Sequence, residues 1–185
     1  MTRQPTTDPR ETLLDTAEAL IYQHGIHATG MDLLVKTSGV SRKTLYRYFA
    51  SKEALTAAAL RRRDGRWMLW FETQVNQAPN PAERLLALFD VLGGWFASEG
   101  FRGCAFINTA GEIGDPNDPI RQVAREHKQK LQDFVQALCR AHDATDPQAL
   151  ARQLLILIDG AITVARVMGD LGAADQARLV AQRLL

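Results

Sequence analysis

Apolar residues recur at intervals of three and four along most of this 185-residue chain, and this helical spacing is the feature that most constrains its fold. No segment alternates apolar and polar residues for long enough to predict a strand, so the sequence predicts an all-α fold. Proline and glycine divide the pattern into about nine helices. After a long fourth helix, the remaining helices are expected at about residues 81–98, 104–113, 119–141, 147–168 and 173–185.

The first helix has clear start and stop signals. Asp8 is a candidate N-cap, Pro9 suits the first helical position, and Gly25 follows the last apolar residue at helical spacing. Residues 1–7 are expected to form a short tail before this helix.

A second, shorter helix is predicted to open with the capping box Thr29-Gly30-Met31-Asp32, and Ser38-Gly39 then turns the chain. The next helical segment runs from Ser41 to Phe49. Two helices joined by such a tight turn predict a helix-turn-helix, so the first fifty residues are expected to form a three-helix head.

The segment Val40–Leu55, VSRKTLYRYFASKEAL, has two unlike sides on a helical wheel. The side predicted to be buried consists of Leu45, Phe49, Ser41 and Tyr48. The opposite side carries two cations between two hydroxyl groups, namely Lys43, Arg47, Thr44 and Tyr46. A protein core cannot accommodate these cations, whereas a DNA groove can; the alternative is an ordinary helix with a solvated basic face.

Charge and cysteine content narrow the class of protein. Residues 1–66 carry 11 Lys or Arg against 7 Asp or Glu, a balance of +4, whereas residues 67–185 carry 11 against 14, a balance of −3. Only the first third is therefore suited to meet phosphates. The two cysteines give no disulfide framework, and no segment is apolar enough for a membrane span, so a cytoplasmic protein is expected.

The fourth helix is expected to run from Ser51 to about Gln77, before Pro79. Its run Arg61-Arg62-Arg63 points in three directions at helical spacing. We therefore expect a solvated stretch whose stems cover apolar neighbours rather than a nucleic-acid contact.

The segment ATGMDLLVKTSGVSRKTLYRYFASKEAL resembles the amino-terminal domain of the tetracycline-repressor-like (TetR) family of bacterial transcriptional regulators. The resemblance covers residues 11–55 and is carried, in register, by Gly25, Thr29, Gly39, Val40, Ser41, Thr44, Leu45, Tyr46, Tyr48, Phe49, Ser51, Lys52 and Leu55. The run Met31-Asp32-Leu33 departs from the family pattern, and this departure is expected to affect packing and capping but not the DNA-reading face.

The resemblance implies a homodimeric repressor that binds a pseudo-palindromic double-stranded DNA operator and is released by a small-molecule effector. It implies DNA binding by residues 1–50 and a helical regulatory domain of residues 51–185. Lys43 and Arg47 are the expected base readers, and Arg42 can reach a base or a phosphate. The remaining expected DNA contacts are Thr29, Ser41, Thr44, Tyr46, Tyr48 and Lys52.

The same resemblance implies a cavity for a largely apolar or aromatic effector within the regulatory domain. Its expected wall consists of Trp67, Trp70, Phe71, Phe89, Trp95, Phe96, Phe106 and Phe134. Its expected polar groups are Cys104, Asn108, Thr109 and His127. Each aromatic residue taken singly is more simply interpreted as core packing.

The last two helices are richer in apolar residues than one buried face requires, and the resemblance implies a four-helix dimer interface here. Its expected members are Leu154, Leu155, Leu157, Ile158, Ala161, Ile162, Ala165, Leu179 and Leu184. Asp159 lies within this run and is either a pocket group or a group that caps or pairs near the interface, with Arg166 as a candidate partner. The structural role is the favoured one, since buried carboxylates need partners.

The sequence is compatible with two other functions. A ligand-independent DNA-binding regulator would use its larger domain for dimerisation alone. An enzyme would need more than Cys104 and His127, which have no third orienting residue, so no catalytic residue is predicted. The histidines and cysteines lack metal-ligand spacing and no glycine-rich phosphate loop is present, so neither a metal nor a cofactor is expected.

Overall fold

The computed structural model describes residues Asp8–Leu185, and this range contains nine α-helices and no strand. The predicted all-α fold is confirmed. The predicted tail at residues 1–7 lies outside the described residues. Within the described range, no helix combines the length and apolar character that crossing a membrane would require.

The helices begin and end within one turn of their predicted positions, because proline, glycine and capping side chains fix most of the ends. Their bounds are α1 Pro9–His24, α2 Met31–Ser38, α3 Arg42–Tyr48, α4 Lys52–Val75, α5 Pro81–Phe96, α6 Ala105–Glu112, α7 Pro119–Ala141, α8 Pro147–Met168 and α9 Ala173–Gln182.

The described chain divides into two compact units. The first contains the residues up to Asp64 together with Ala105–Arg125, and the second contains Gly65–Cys104 and Glu126–Leu185. Helix α6 therefore belongs with the N-terminal helices by its contacts. The domain division predicted at residue 50 follows chain order and assigns α6 to the regulatory domain.

Helix α1 forms the centre of the first unit. Asp8 caps it by accepting a hydrogen bond from the backbone N–H of Arg10 at 3.0 Å, and Gly25 ends it with φ of 89°, as the sequence predicts. Leu13 and Ala17 of α1 are buried, and α1 contacts both α2 and α3. These contacts hold the two helices of the helix-turn-helix against one support.

The predicted capping box at the start of α2 is wrong. Gly30 is the N-cap residue and makes no side-chain capping bond. Thr29 is buried instead, and its hydroxyl donates to the carbonyl oxygen of Gly25 at 2.7 Å. Because α1 ends at His24, the carbonyl oxygen of Gly25 lies just beyond the helix, and the Thr29 hydroxyl provides its hydrogen bond.

The prediction of a solvated arginine run in α4 is also wrong for two of its three residues. The side chain of Arg62 is only 17% exposed and forms an ion pair with Glu11 at 2.8 Å and another with Asp15 at 2.5 Å. Arg63 pairs with Glu18 at 3.3 Å. These partners are too distant in sequence for local helical spacing to reveal them, and the pairs fasten α4 to α1.

The second unit is a helical bundle in which α9 packs against both α5 and α8. Leu88 and Leu92 of α5 are fully buried, as is Leu154 of α8. Small buried residues on α9, including Ala174, allow its backbone to approach α5 closely.

Asp159 has the expected structural role with a different partner. Its carboxylate accepts from the Nζ atom of Lys128 on α7 at 2.5 Å, and both side chains are partly buried. The stem of Arg166, the predicted partner, lies against Gly103 instead. Because Lys128 is on another helix, the spacing within α8 did not indicate this pair.

Candidate nucleic-acid interface

The turn between α2 and α3 places α3 at the surface of the first unit. Gly39 ends α2 in the left-handed region with φ of 68°, a conformation that favours glycine. Ser41 then caps α3, and its hydroxyl accepts from the backbone N–H of Thr44 at 3.1 Å, as predicted.

One side of α3 is buried and the other faces outward. Leu45 is 0% exposed and Phe49, at the end of the helix, is 6% exposed, whereas Lys43, Arg47 and Tyr46 are exposed. The two residues that anchor the helix therefore lie opposite the two cations that the sequence analysis singles out.

The buried side is narrower than the sequence analysis predicts, because Ser41 and Tyr48 are exposed. Helix α3 has only seven residues, of which Leu45 is the buried one, and buried Phe49 follows directly as the C-cap residue. The hydroxyl of Ser41 is 2.9 Å from that of Thr44, which keeps both groups beside the exposed face. The exposure of Tyr48 agrees with the DNA contact expected for it from the family resemblance.

The guanidinium of Arg47 lies over the ring of Tyr48, 5.0 Å from its centroid, and donates to the Tyr48 hydroxyl at 3.3 Å. Both side chains are exposed. A cation on an exposed aromatic face is held by about 0.5–1 kcal/mol, so binding to a groove can release it. Arg47 is therefore held only weakly at the surface of α3.

Arg42 forms an ion pair with Asp32, which lies in the first turn of α2. This pair joins the two helices of the helix-turn-helix through their exposed surfaces. The Met31-Asp32-Leu33 run therefore contacts the first residue of α3, at the edge of the predicted reading face. The residues are ten positions apart on different helices, and no spacing rule indicates their contact.

Two predicted phosphate ligands have structural partners. The hydroxyl of Thr29 is buried and bonded to Gly25, so this structure does not present it to DNA, contrary to the prediction. The Nζ atom of half-buried Lys52 donates to the carbonyl oxygen of Ile26 at 2.6 Å. Lys52 thus ties the start of α4 to the turn between α1 and α2.

The same turn is held by Glu112, a residue that no local sequence pattern indicates. Its carboxylate accepts from the backbone N–H groups of Ile26 at 3.0 Å and His27 at 2.9 Å. A Cβ atom at Gly25 would lie 2.8 Å from this carboxylate, so glycine is also needed here for space. Consecutive backbone N–H groups form an anion-binding concavity, and the last residue of α6 fills it.

Six of the eight aromatic residues predicted to line a cavity form a continuous cluster within the second unit. The ring of Trp67 is 4.7 Å from that of Phe71, 5.5 Å from that of Trp95 and 5.3 Å from that of His127. The cluster extends to Trp70, Phe96, Phe134 and Phe101, the last of which was not predicted. Phe89 is buried in the core of the same unit.

The remaining predicted pocket residues divide between the two units. Phe106, Asn108 and Thr109 lie on α6 in the first unit, where Thr109 is buried and donates to the carbonyl oxygen of Ala105 at 2.7 Å. Cys104 and His127 are buried in the second unit. Within the described range, no group of His, Cys, Asp and Glu side chains is arranged to hold a metal ion.

The structure changes the set of residues available for a dimer interface. Five predicted members lie in the core of the protomer and cannot form its surface, namely Leu154, Ile158, Ala161, Ile162 and Ala165. Leu155 and Leu157 are half-buried, whereas Leu179 and Leu184 are exposed. The apolar run in α8 is long because it serves an inner face and an outer face, which hydrophobicity alone does not separate.

The outer face of α8 carries exposed apolar residues that were not predicted. Ile156 is 71% exposed and Val167 is 76% exposed, and Gly160 and Thr163 lie between them at intervals of a helical turn. We call these four residues the α8 stripe. Leu179 and Val180 are exposed on neighbouring α9.

Family models match both parts of the chain. Residues 13–59 match the model for bacterial regulatory proteins of the tetR family, and residues 81–181 match the model for the tetracyclin repressor-like C-terminal domain.

Individual relatives agree with these matches. The HTH-type transcriptional regulator YjdC of Escherichia coli is 25% identical over 177 residues, covering 95% of this chain and 93% of that protein. The HTH-type transcriptional repressor ComR of Escherichia coli is 31% identical over 140 residues, covering 74% of this chain and 67% of that protein. The crystal structure of a TetR transcriptional regulator from Streptomyces avermitilis has a TM-score of 0.84 at 30% identity, covering 95% of this chain and 99% of that one.

The N-terminal and C-terminal parts of a TetR regulator are both present, in the family's order and on the family's fold. The outward cations of α3 lie on the helix that reads DNA in a helix-turn-helix. The chain therefore belongs to the TetR family of transcriptional regulators, which have a DNA-binding helix-turn-helix.

Proposed function

We propose that this protein is a homodimeric repressor that reads a pseudo-palindromic operator through two copies of α3 and leaves it when a small-molecule effector binds. The observation that carries the proposal is the arrangement of α3, in which exposed Lys43 and Arg47 lie opposite buried Leu45 and Phe49. This repressor acts in the bacterial cytoplasm.

The cations on the outward face of α3 read the bases. Arg47 can grip the O6 and N7 atoms of guanine through two bonds, and Lys43 offers a mobile charge to the same acceptors. Tyr46 is exposed beside them and its hydroxyl binds phosphate.

Dimerisation is supported by the α8 stripe. An isologous interface buries the same residues from both copies, and Gly160 at the middle of the stripe permits close approach of two backbones. A two-fold dimer that binds half-sites one turn apart holds its reading helices about 34–36 Å apart. A pseudo-palindromic operator follows from that symmetry.

Effector binding is supported by the aromatic cluster around Trp67. The Nε1 atom of Trp67 is buried and has no hydrogen-bond partner among the described residues. Leaving a buried donor unpaired costs about 1–3 kcal/mol, and a ligand acceptor can recover this. The proposed effector is therefore apolar or aromatic and carries at least one hydrogen-bond acceptor.

Release from DNA is supported by the contact of Glu112 with the α1–α2 turn. Any effector that favours a different position of α6 must weaken the bonds from Ile26 and His27 to this carboxylate. The turn leads directly into α2, so the orientation of the helix-turn-helix changes with it. The effector weakens DNA binding by the ratio of its affinities for the two arrangements.

Binding-site selection on random DNA with the full chain tests the proposed operator. We expect an enriched motif with two-fold pseudo-symmetry, whose half-sites are spaced by about one helical turn or a multiple of it. Recovery of no motif, or of a motif without internal symmetry, would contradict the proposal.

A second candidate is a regulator that responds to no ligand. The direct ring contacts within the aromatic cluster favour it, because rings that fill the space between helices need no ligand. Thermal-shift screening against metabolites, lipids and aromatic compounds, followed by mobility shift with operator DNA, separates the two. A compound that raises the melting temperature and releases DNA supports the repressor with an effector, and a complete lack of such compounds supports the second candidate.

A further inference from the structure

Asp32 places a negative charge on the exposed surface beside α3, the proposed reading helix. It lies in the first turn of α2, and its side chain is 93% exposed. Arg42 is the first residue of α3, and its side chain is 51% exposed. Phosphates repel a carboxylate in this position, so an isolated aspartate here would weaken binding to DNA of every sequence.

The carboxylate of Asp32 is not isolated, because its Oδ1 atom accepts from the Nη2 atom of Arg42. An ion pair between two exposed side chains adds little to the stability of the fold. Its main effect is therefore on the charge and the orientation that Arg42 presents to DNA.

Arg47 provides a comparison on the same helix. It rests on the neutral ring of Tyr48, and DNA can remove it without separating opposite charges. Arg42 must leave a carboxylate before it can turn towards a phosphate. If it keeps that bond, the N–H groups that Asp32 does not use can still meet the edge of a base.

We propose that Asp32 is a positioning residue that determines DNA specificity: its carboxylate holds Arg42 towards the groove and withholds it from phosphates. On DNA of arbitrary sequence, Arg42 then contributes less than an unpaired arginine would. On the operator, the held guanidinium meets a base for which its orientation is suitable. This inference rests on the proposed function, since it requires α3 to enter a groove.

The test compares wild-type protein with Asp32→Asn, which keeps the shape of the side chain and removes its charge. Each protein is titrated with the selected operator and with random duplex DNA over a series of salt concentrations. Freed from Asp32, Arg42 gains a phosphate, so affinity for random DNA should rise by a factor on the order of three to ten. The slope of log K against log salt should steepen by about 0.9, the value for one further phosphate.

The ratio of operator to random affinity should therefore fall in Asp32→Asn, and the motif recovered by site selection should lose preference at the base that Arg42 meets. Asp32→Glu keeps the charge and should restore most of the ratio. In an Arg42→Ala background, Asp32→Asn should lose most of its effect on the salt slope, because no guanidinium remains to be freed.

Three results would overturn the inference. The first is an unchanged ratio and salt slope in Asp32→Asn. The second is an equal loss of affinity for both DNAs with no change in slope, which indicates a purely structural role for Asp32. The third is an equal effect of Asp32→Asn on the salt slope in the wild-type and Arg42→Ala backgrounds. If wild-type protein itself shows no preference for a selected site, the proposed function fails instead.

Discussion

At the scale of single residues, the reading surface contains two kinds of side chain. Lys43 and Tyr46 point outward because Leu45, between them in sequence, is buried. Arg42 depends in addition on Asp32, which belongs to another helix. Helical geometry determines the outward direction of Lys43 and Tyr46. The position of Arg42 depends in addition on the tertiary contact between α2 and α3.

Tyr46 is expected to bind phosphate, so Tyr46→Phe removes one hydrogen bond without changing the shape of the surface. Binding should weaken by about 1 kcal/mol for operator and random DNA alike, because a phosphate contact carries no sequence information. Mobility-shift titration with both DNAs measures this. A loss confined to the operator would indicate that Tyr46 contacts a base.

Cys139 is fully buried, and burial raises the pKa of its thiol from 9.0 to about 11. In the variant Cys104→Ser, where Cys139 is the remaining thiol, alkylation at neutral pH should be slow until denaturant unfolds the protein. Mass spectrometry after a timed reaction with iodoacetamide measures this. Rapid alkylation of the folded protein would contradict the burial.

The raised pKa of Cys139 also makes the free energy of unfolding depend on pH. A thiol whose pKa is higher in the folded state stabilises the fold fully below its unfolded pKa, and this contribution is lost as pH rises towards about 11. Relative to wild type, Cys139→Ala should therefore lose less stability over this alkaline range, as urea denaturation at several pH values can show.

At the scale of helices, α6 has a specific role through its last residue. Glu112→Gln replaces a carboxylate that accepts two backbone N–H groups by an amide with one accepting oxygen. The free energy of unfolding should fall by about 1–2 kcal/mol, since bonds to a charged acceptor are stronger than neutral ones. Urea denaturation measures the loss.

Glu99→Gln is the matched control, because Glu99 is exposed in the second unit and should tolerate the change. An equal effect of the two substitutions would show that Glu112 does not hold the turn. If the turn also orients the helix-turn-helix, Glu112→Gln should weaken operator binding under conditions in which the protein remains folded.

Helix bounds could be predicted from the sequence because local signals determine them. Asp8 and Ser41 are caps, and Gly25 and Gly39 take backbone conformations that favour glycine. The partners of Glu112 lie 85 and 86 residues away, so no local signal identifies it.

The candidate site, like the helix bounds, could be predicted only where local sequence signals determine it. The cations of α3 and their buried supports followed from helical spacing, whereas the ion pair of Arg42 and the burial of Thr29 did not. Hydrophobicity indicated that α8 is rich in apolar residues, but only the structure separates buried Ile158 from exposed Ile156.

At the scale of the whole molecule, two-fold symmetry connects the α8 stripe to the operator. Val167→Asp would place a carboxylate within the proposed contact, at the C-terminal end of the α8 stripe, in both copies. Sedimentation velocity should then show monomers at concentrations where wild type is dimeric, because burying two like charges without partners is strongly unfavourable. Operator affinity should fall with dimerisation.

Leu69→Asp is the matched control for that experiment, because Leu69 is an exposed apolar residue on α4 outside the stripe. It should leave the dimer intact. A dimer that survives Val167→Asp, or that is lost only in Leu69→Asp, would place the interface elsewhere.

The central claim is that Arg47 and its symmetric copy read the operator from the exposed face of α3. Binding-site selection with wild type and Arg47→Ala, performed in parallel, tests it most directly. We predict that the variant loses preference at one base in each half-site, at related positions, with a cost of about 1–3 kcal/mol for operator binding. An unchanged selected motif in Arg47→Ala would contradict the claim.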